Sequence, residues 1–119
     1  MKKADWVPEK ADVIWINCSP HAGKEMKDFH PLFVLSPRLF NQKTGIVIGL
    51  PLTTVASNET NPFAVKFIGK DKKVSYILTH QPKSFDWKVR GAKPHPIKQL
   101  PEEIMDVACE SLNQIIELV

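Results

Sequence analysis

The stretch Asp12–Pro37, DVIWINCSPHAGKEMKDFHPLFVLSP, decides the fold. Asp12 to Asn17 is a β-branched and aromatic run centred on Trp15, which reads as a strand. Pro31 to Ser36 reads as a second strand, and its unbroken apolar character predicts a central position with both faces covered. Between them, Cys18 to His30 carries Ser-Pro, Gly and several charges with no apolar period, so a long loop is expected. Two scaffold strands framing a polar loop place working residues on that loop.

Outward from this stretch, Pro37 to Gly45 is expected as a connection ending in a Thr-Gly turn. Ile46 to Thr53 reads as a third strand and Thr54 to Pro62 as a polar loop. Phe63–Ile68 and Val74–Thr79 flank Gly-Lys-Asp-Lys-Lys, a hairpin signal with Gly69 and Asp71 supplying the turn. The Pro- and Lys-rich segment from Gln81 to Leu100 is expected to hold a helical turn over Ser84–Trp87 and a strand around Lys88–Gly91. The clearest helix is C-terminal. Pro101 suits its first turn, and Glu102 and Glu103 complement its N-terminal dipole. Ile104, Ala108, Leu112, Ile115, Ile116 and Val119 then form one apolar stripe. Five or more short strands and one packing helix predict a mainly β (α+β) domain, a small barrel with a C-terminal helix.

At 119 residues the chain is expected to be a single domain, spanning 1–119, with a core large enough to fold unaided. Its 43% hydrophobic and 24% charged residues argue against disorder. Apolar runs are too short to cross a bilayer, so a cytoplasmic protein with no membrane partner is expected. Cys18 and Cys109 have no neighbours at metal-ligand spacing and are expected as two thiols rather than a disulfide. A net charge of +3 permits a nucleic-acid or acidic-protein partner without requiring one.

No phosphate-binding Gly-rich loop, zinc-type cluster or Gly-x-Ser-x-Gly element is present. The polar candidates are Glu25, His30, Thr53, Thr54, His80 and Gln81. An imidazole titrates in the physiological range, so His30, at the exit of the charged loop, could exchange a proton in phosphoryl transfer. Equally it could serve only its own backbone. His80, at a strand end, could complete an acid/base pair, whereas His21 and His95 read as surface histidines. From Lys83 to Lys98 five cations, with Phe85 and Trp87 interleaved, could line a single-strand RNA surface. Alternatively, those two aromatics plug the barrel end.

Taken together, these residues resemble the MazF/PemK (Kid) family of bacterial toxin endoribonucleases. The likeness runs through Asp12-Val13-Ile14-Trp15, then Pro20, Gly23 and Glu25, then Pro31 through Leu35-Ser36-Pro37. It continues at Asn41, Lys43-Thr44-Gly45, Pro51, Thr53-Thr54 and Pro62-Phe63, and closes with Gln81-Pro82-Lys83-Ser84, Trp87-Lys88, Arg90-Gly91-Ala92 and Pro101-Glu102-Glu103. The resemblance implies an SH3-like barrel assembled as a homodimer, the toxin of a type II toxin–antitoxin module that inhibits translation and growth. It implies cleavage of single-stranded RNA without a metal or other cofactor, through 2′-OH attack to a 2′,3′-cyclic phosphate. A cognate MazE-like antitoxin with an acidic, flexible tail is the implied regulator. His30, Thr53, Glu25 and His80 are then the expected catalytic residues, and Lys24, Lys27, Gln81 and Lys83 the expected RNA contacts.

This chain departs from the family pattern in two places. Family members usually carry Arg-Pro where His30-Pro31 stands, and PemK-like members carry an arginine and an aspartate at Leu78 and His80. Two readings follow. In one, His30 and His80 share acid/base work, with Thr53 on a non-bridging oxygen and Glu25 as base or histidine orienter. In the other, losing a permanently charged planar fork leaves a weakened homologue that binds RNA or antitoxin. A barrel toxin acting on a topoisomerase is a third, more distant reading.

Overall fold

The computed structural model describes residues 6–19 and 28–117. Seven strands and two helices follow the order β1 (Asp12–Asn17), β2 (Phe29–Val34), α1 (Arg38–Thr44), β3 (Ile46–Thr53), β4 (Ala64–Ile68), β5 (Val74–Leu78), β6 (Lys83–Asp86), β7 (Lys93–Gln99) and α2 (Glu102–Ile115). A 3-10 helix, Ala56–Thr60, occupies the loop expected between β3 and β4. The strands form one antiparallel sheet in the order β4-β5-β3-β2-β1-β7, with β6 also paired to β3. β3 divides one edge between two partners: Ile46–Gly49 face β6, and Leu52 and Thr53 face β5. Sharing a strand in this way curls the sheet into a half-barrel.

Alternation along the central strands feeds two cores, because successive side chains leave opposite faces. Val13, Phe33, Leu50, Leu52, Ile77 and Ile97 pack with Met105 and Ala108 of α2. Ile14, Ile16, Leu32, Val34 and Val47 pack on the other face with Val7 and Trp87. Burial of both faces accounts for the unbroken apolar reading of the second strand. Each fully buried Leu, Ile or Phe here contributes about 1.5–3 kcal/mol relative to exposure.

Several expectations are corrected. Arg38–Thr44 is a helix rather than a connection, ended by Gly45 at φ 73°, whose N–H bonds the Asn41 carbonyl at 3.1 Å. A left-handed C-cap is where glycine is favoured. Ser84–Trp87 is not a helical turn, since Lys83–Asp86 pairs with β3, and Lys88–Gly91 is a turn rather than a strand. The last strand instead runs Lys93–Gln99, with Pro94 and Pro96 tolerated because, among the described residues, β7 pairs only with β1. The loop after β1 ends earlier than expected, so His30 lies within β2, opposite Ile16. On α2, Met105, Ala108 and Leu112 are buried, whereas Ile115 and Ile116 stay about 40% exposed. Cys18 and Cys109 are free thiols.

Two local devices hold the half-barrel together. Asn41 of α1 is fully buried, and its Nδ2 donates to the carbonyls of Pro8 (2.8 Å) and Ser36 (3.0 Å). The Ser36 hydroxyl donates to Asn41 Oδ1 (2.6 Å), and Trp87 Nε1–H donates to the Asn41 carbonyl (2.7 Å). The Asn41 side chain thus joins the N-terminal segment to the β2–α1 link, and its backbone carbonyl ties in Trp87 from the turn after β6. At Gly49, a Cβ would stand 2.4 Å from the Phe33 carbonyl oxygen and 2.8 Å from Leu32 Cγ. No larger residue fits where β3 crosses β2.

Candidate active site

A groove of about 530 Å³ opens where the ends of β2 and β3 meet the β4–β5 hairpin and β7. Trp15, Pro31, Leu52, Pro96 and Ile97 supply apolar lining, and its polar groups are His30, Thr53, Thr54, Asp71, Lys73, Ser75 and His95. Its size suits a small ligand or a short piece of a polymer. Register explains why the polar groups converge. Trp15 of β1 stands opposite Pro31 of β2 on one side and Lys93 of β7 on the other. β3 leaves its pairing with β2 just before Thr53, beside the hairpin from β4 to β5.

Each polar group has a defined state. Thr53 Oγ1 accepts the Val55 N–H at 3.2 Å, which leaves its hydroxyl proton free to donate. His30 is exposed at the groove mouth. The His95 ring lies 4.5 Å from the Trp15 ring, tilted by 38°, and its Nδ1 accepts the Ile97 N–H at 3.0 Å. Burial lowers the His95 pKa, and the nearby Asp71 carboxylate opposes that only in part. Asp71 itself caps the hairpin turn by accepting the Lys73 N–H (3.0 Å), and it offsets the Lys73 ammonium in the groove's charge.

The structure therefore brings together two of the expected site residues, His30 and Thr53. Glu25, Lys24 and Lys27 lie outside the described residues. His80 is elsewhere, beyond the far end of β5, with its ring 5.6 Å from Phe63 and its Nε2 3.3 Å from the Gln81 amide. Tyr76 of β5 pairs with Thr53, so the strand carries His80 four residues away from the groove. Gln81 and Lys83 follow His80 on that side and do not line the groove.

The aromatics among the expected RNA cations are structural. Trp87 is buried in the second core and Phe85 packs against it. Arg90 donates to the Ser19 carbonyl, and the Lys88 and Lys93 ammoniums sit 5.4 Å and 5.2 Å from the Trp87 and Phe29 ring centres. His95 is the groove residue that the sequence reading passed over. Its signal was present in the β7 alternation, which turns His95 and Ile97 inward between exposed Pro94, Pro96 and Lys98. Among the described residues, no cluster of His, Cys, Asp and Glu could hold a metal ion, and no helix is long and apolar enough to cross a membrane.

The curled antiparallel half-barrel with a C-terminal helix and a groove at its strand ends defines a class of small barrel proteins, and comparison with known proteins places the chain within it. The chain belongs to the family described as PemK-like, MazF-like toxin of type II toxin-antitoxin system, whose model matches residues 9–116. It is 37% identical over 87 residues to the endoribonuclease toxin MazF of Escherichia coli K12, covering 73% of this chain and 76% of that one. It is 27% identical over 110 residues to the endoribonuclease PemK of Escherichia coli, covering 91% and 81%. Among solved structures, MazF from Deinococcus radiodurans superposes with a TM-score of 0.80 at 27% identity, covering 96% of this chain and all of that one. A MazE-MazF complex from the same organism gives a TM-score of 0.80 at 23% identity, over 97% of this chain, and shares the fold.

Proposed function

We propose that this toxin is an endoribonuclease that cleaves single-stranded RNA in the groove, through attack of a ribose 2′-OH on the adjacent phosphorus. The observation that carries this reading is the convergence of an exposed histidine, His30, and a hydroxyl with its proton free to donate, Thr53, on one groove. His30 takes the 2′-OH proton as the new O–P bond forms. Thr53 donates to a non-bridging oxygen whose charge grows in the transition state. The P–O5′ bond then breaks, and the 5′-oxygen takes a proton from water at the open mouth, leaving a 2′,3′-cyclic phosphate. Because the nucleophile is the 2′-OH, DNA is spared.

His80, remote from Thr53, has no part in this mechanism. The endoribonuclease names of the 37% and 27% identical relatives support the reaction class. A cognate antitoxin whose acidic tail competes with RNA for the groove, and assembly as a homodimer, belong to the same proposal. The MazE-MazF complexes among the structural neighbours support the first of these. The uncovered apolar end of α2 at Ile115 and Ile116 is compatible with the second.

The test is incubation of the purified protein with a long unstructured RNA in EDTA, with product ends mapped. Discrete cuts ending in 2′,3′-cyclic phosphates are expected. Intact RNA that nonetheless binds would replace this reading with that of a non-catalytic RNA-binding homologue, the consequence of His30 standing where relatives carry arginine.

A further inference from the structure

Resting on the reading of the groove as the RNA-cleaving site, we propose that the Nε2–H of His95 donates a hydrogen bond to a non-bridging oxygen of the scissile phosphate. This gives the site a second fixed donor beside Thr53.

The argument begins at the backbone. Nδ1 of His95 accepts the Ile97 N–H at 3.0 Å, and a ring nitrogen that accepts carries no proton. The ring proton therefore resides on Nε2. Protonating Nδ1 as well would turn that acceptor into a second donor facing a donor. The surroundings keep the ring uncharged: it is half-buried against Trp15, and burial holds its pKa below the ordinary value. The charged and titratable groups sharing the groove are Asp71 and Lys73 of the β4–β5 hairpin and His30 of β2, with Lys93 on its own strand. Of these, Asp71 favours the charged ring, and its effect is smaller than that of burial.

An uncharged Nε2–H tautomer has no lone pair on Nε2 with which to act as a base. Giving up its only proton would leave an imidazolate, so it is equally unsuited to acid catalysis. What remains is donation. No protein acceptor meets Nε2 among the described residues, and every buried polar side-chain atom there has a partner, so Nε2 is open to the groove. The Trp15 stack and the Ile97 contact fix the ring before RNA arrives, the preorganisation that makes such donors effective. A donor that stays uncharged also accounts in part for how the site works with His30 in place of a charged arginine fork.

The experiment compares wild type with His95→Ala, His95→Phe and His95→Gln. Cleavage kinetics are followed from pH 5 to 8, together with imidazole ¹⁵N NMR. Removing one such donor costs about 100-fold or more in kcat. His95→Phe retains the ring packing and should fall as far as His95→Ala, whereas His95→Gln, which restores an N–H donor, should recover part of the loss. His95 should show the Nε2–H tautomer at pH 7, and that proton should shift when a mixed-sequence DNA oligonucleotide, lacking the 2′-OH, is added. Cleavage by His95→Ala or His95→Phe within about threefold of wild type, an Nδ1–H tautomer, or an unmoved Nε2–H signal would each overturn the assignment. So would a limb of the pH profile that vanishes in His95→Gln, since the Nε2–H donor is present in both protonation states of the ring. A wild type that cleaves no RNA, yet whose Nε2–H signal shifts with DNA, would sink the cleavage reading and uphold the phosphate contact.

Discussion

At the scale of single residues, the fold rests on polar groups that could not be ranked without coordinates. Asn41 stands in the sequence as one more polar residue in an expected connection. In the structure it satisfies two buried carbonyls and a hydroxyl at once. Asn41→Ala would leave those groups unpaired, at about 1–3 kcal/mol for each one left buried and unsatisfied. A fall of at least 2 kcal/mol in urea-unfolding stability is expected, and a change below 0.5 kcal/mol would show that water replaces the amide. His95 gives a second residue-level expectation, this one in pH. Its folded pKa lies below the unfolded value, so the unfolded chain binds the extra proton first as pH falls. The stability it contributes is present above about pH 6.5 and is lost as pH drops through the folded value. Urea midpoints at pH 7.5 and 5 should therefore converge more closely in His95→Gln than in wild type. An identical pH dependence in the two proteins would mean that the ring is no harder to protonate in the fold than in the unfolded chain.

At the scale of elements, β1, β3, the β4–β5 hairpin and α2 were legible because each carries a local signal: β-branched runs, a Gly/Asp turn, or a period of 3.6 with acidic residues at its start. β6, β7 and α1 were not, and each failed for its own reason. β7 holds two prolines, which argue against a strand until its edge position is known. β6 is four residues long and owes its conformation to Ile46–Gly49 of β3 rather than to its own propensity. α1 spans seven residues, and the Gly45 that ends it reads equally well as a turn. The site was half legible. His30 and Thr53 stand next to strand ends and could be chosen as residues, but the alternation that turns His95 inward does not by itself tell which second histidine shares their groove. That depends on β1 bringing β2 and β7 together across Trp15. The tightest element contact is also testable. Gly49→Ala drives a Cβ against the Phe33 carbonyl, a backbone atom that cannot move without parting β2 from β3. Destabilisation of about 1–3 kcal/mol or more is expected, with early loss of amide-exchange protection at Phe33 and Leu50, the pair facing each other across this seam. Unchanged protection at both would mean that the paired strands absorb the added methyl without opening.

At the scale of the whole molecule, the proposed RNA cleavage leaves two candidate surfaces for the strand, and charge distinguishes them. One is the groove, where Asp71 accompanies Lys73 and the polar donors are uncharged or exposed. The other is the side carrying Lys83, Lys88 and Arg90, close enough to the Cys18 thiol for Lys83 and Arg90 to act on it. Burial nonetheless raises the Cys18 pKa, so that side holds no activated thiolate. The cations there partly serve the protein itself, through the Arg90 contact with Ser19 and the Lys88 contact with Trp87. RNA held in the groove meets few uncompensated cations, in keeping with a net charge of only +3. Each neutralised phosphate on a single strand contributes about −0.7 to the slope of log affinity against log salt. Groove binding predicts a slope between about −1 and −2 for a DNA oligonucleotide between 50 and 200 mM salt. Lys73→Ala should then make the slope shallower by about one contact, and Lys83→Ala should leave it unchanged. A slope steeper than about −4, or one that responds to Lys83 and not to Lys73, would place the strand across the basic side. It would also separate the path of the RNA from the residues positioned to cut it. Specificity in this protein would then come from a long electrostatic track, and not from the shape of the groove that Thr53 and His95 line.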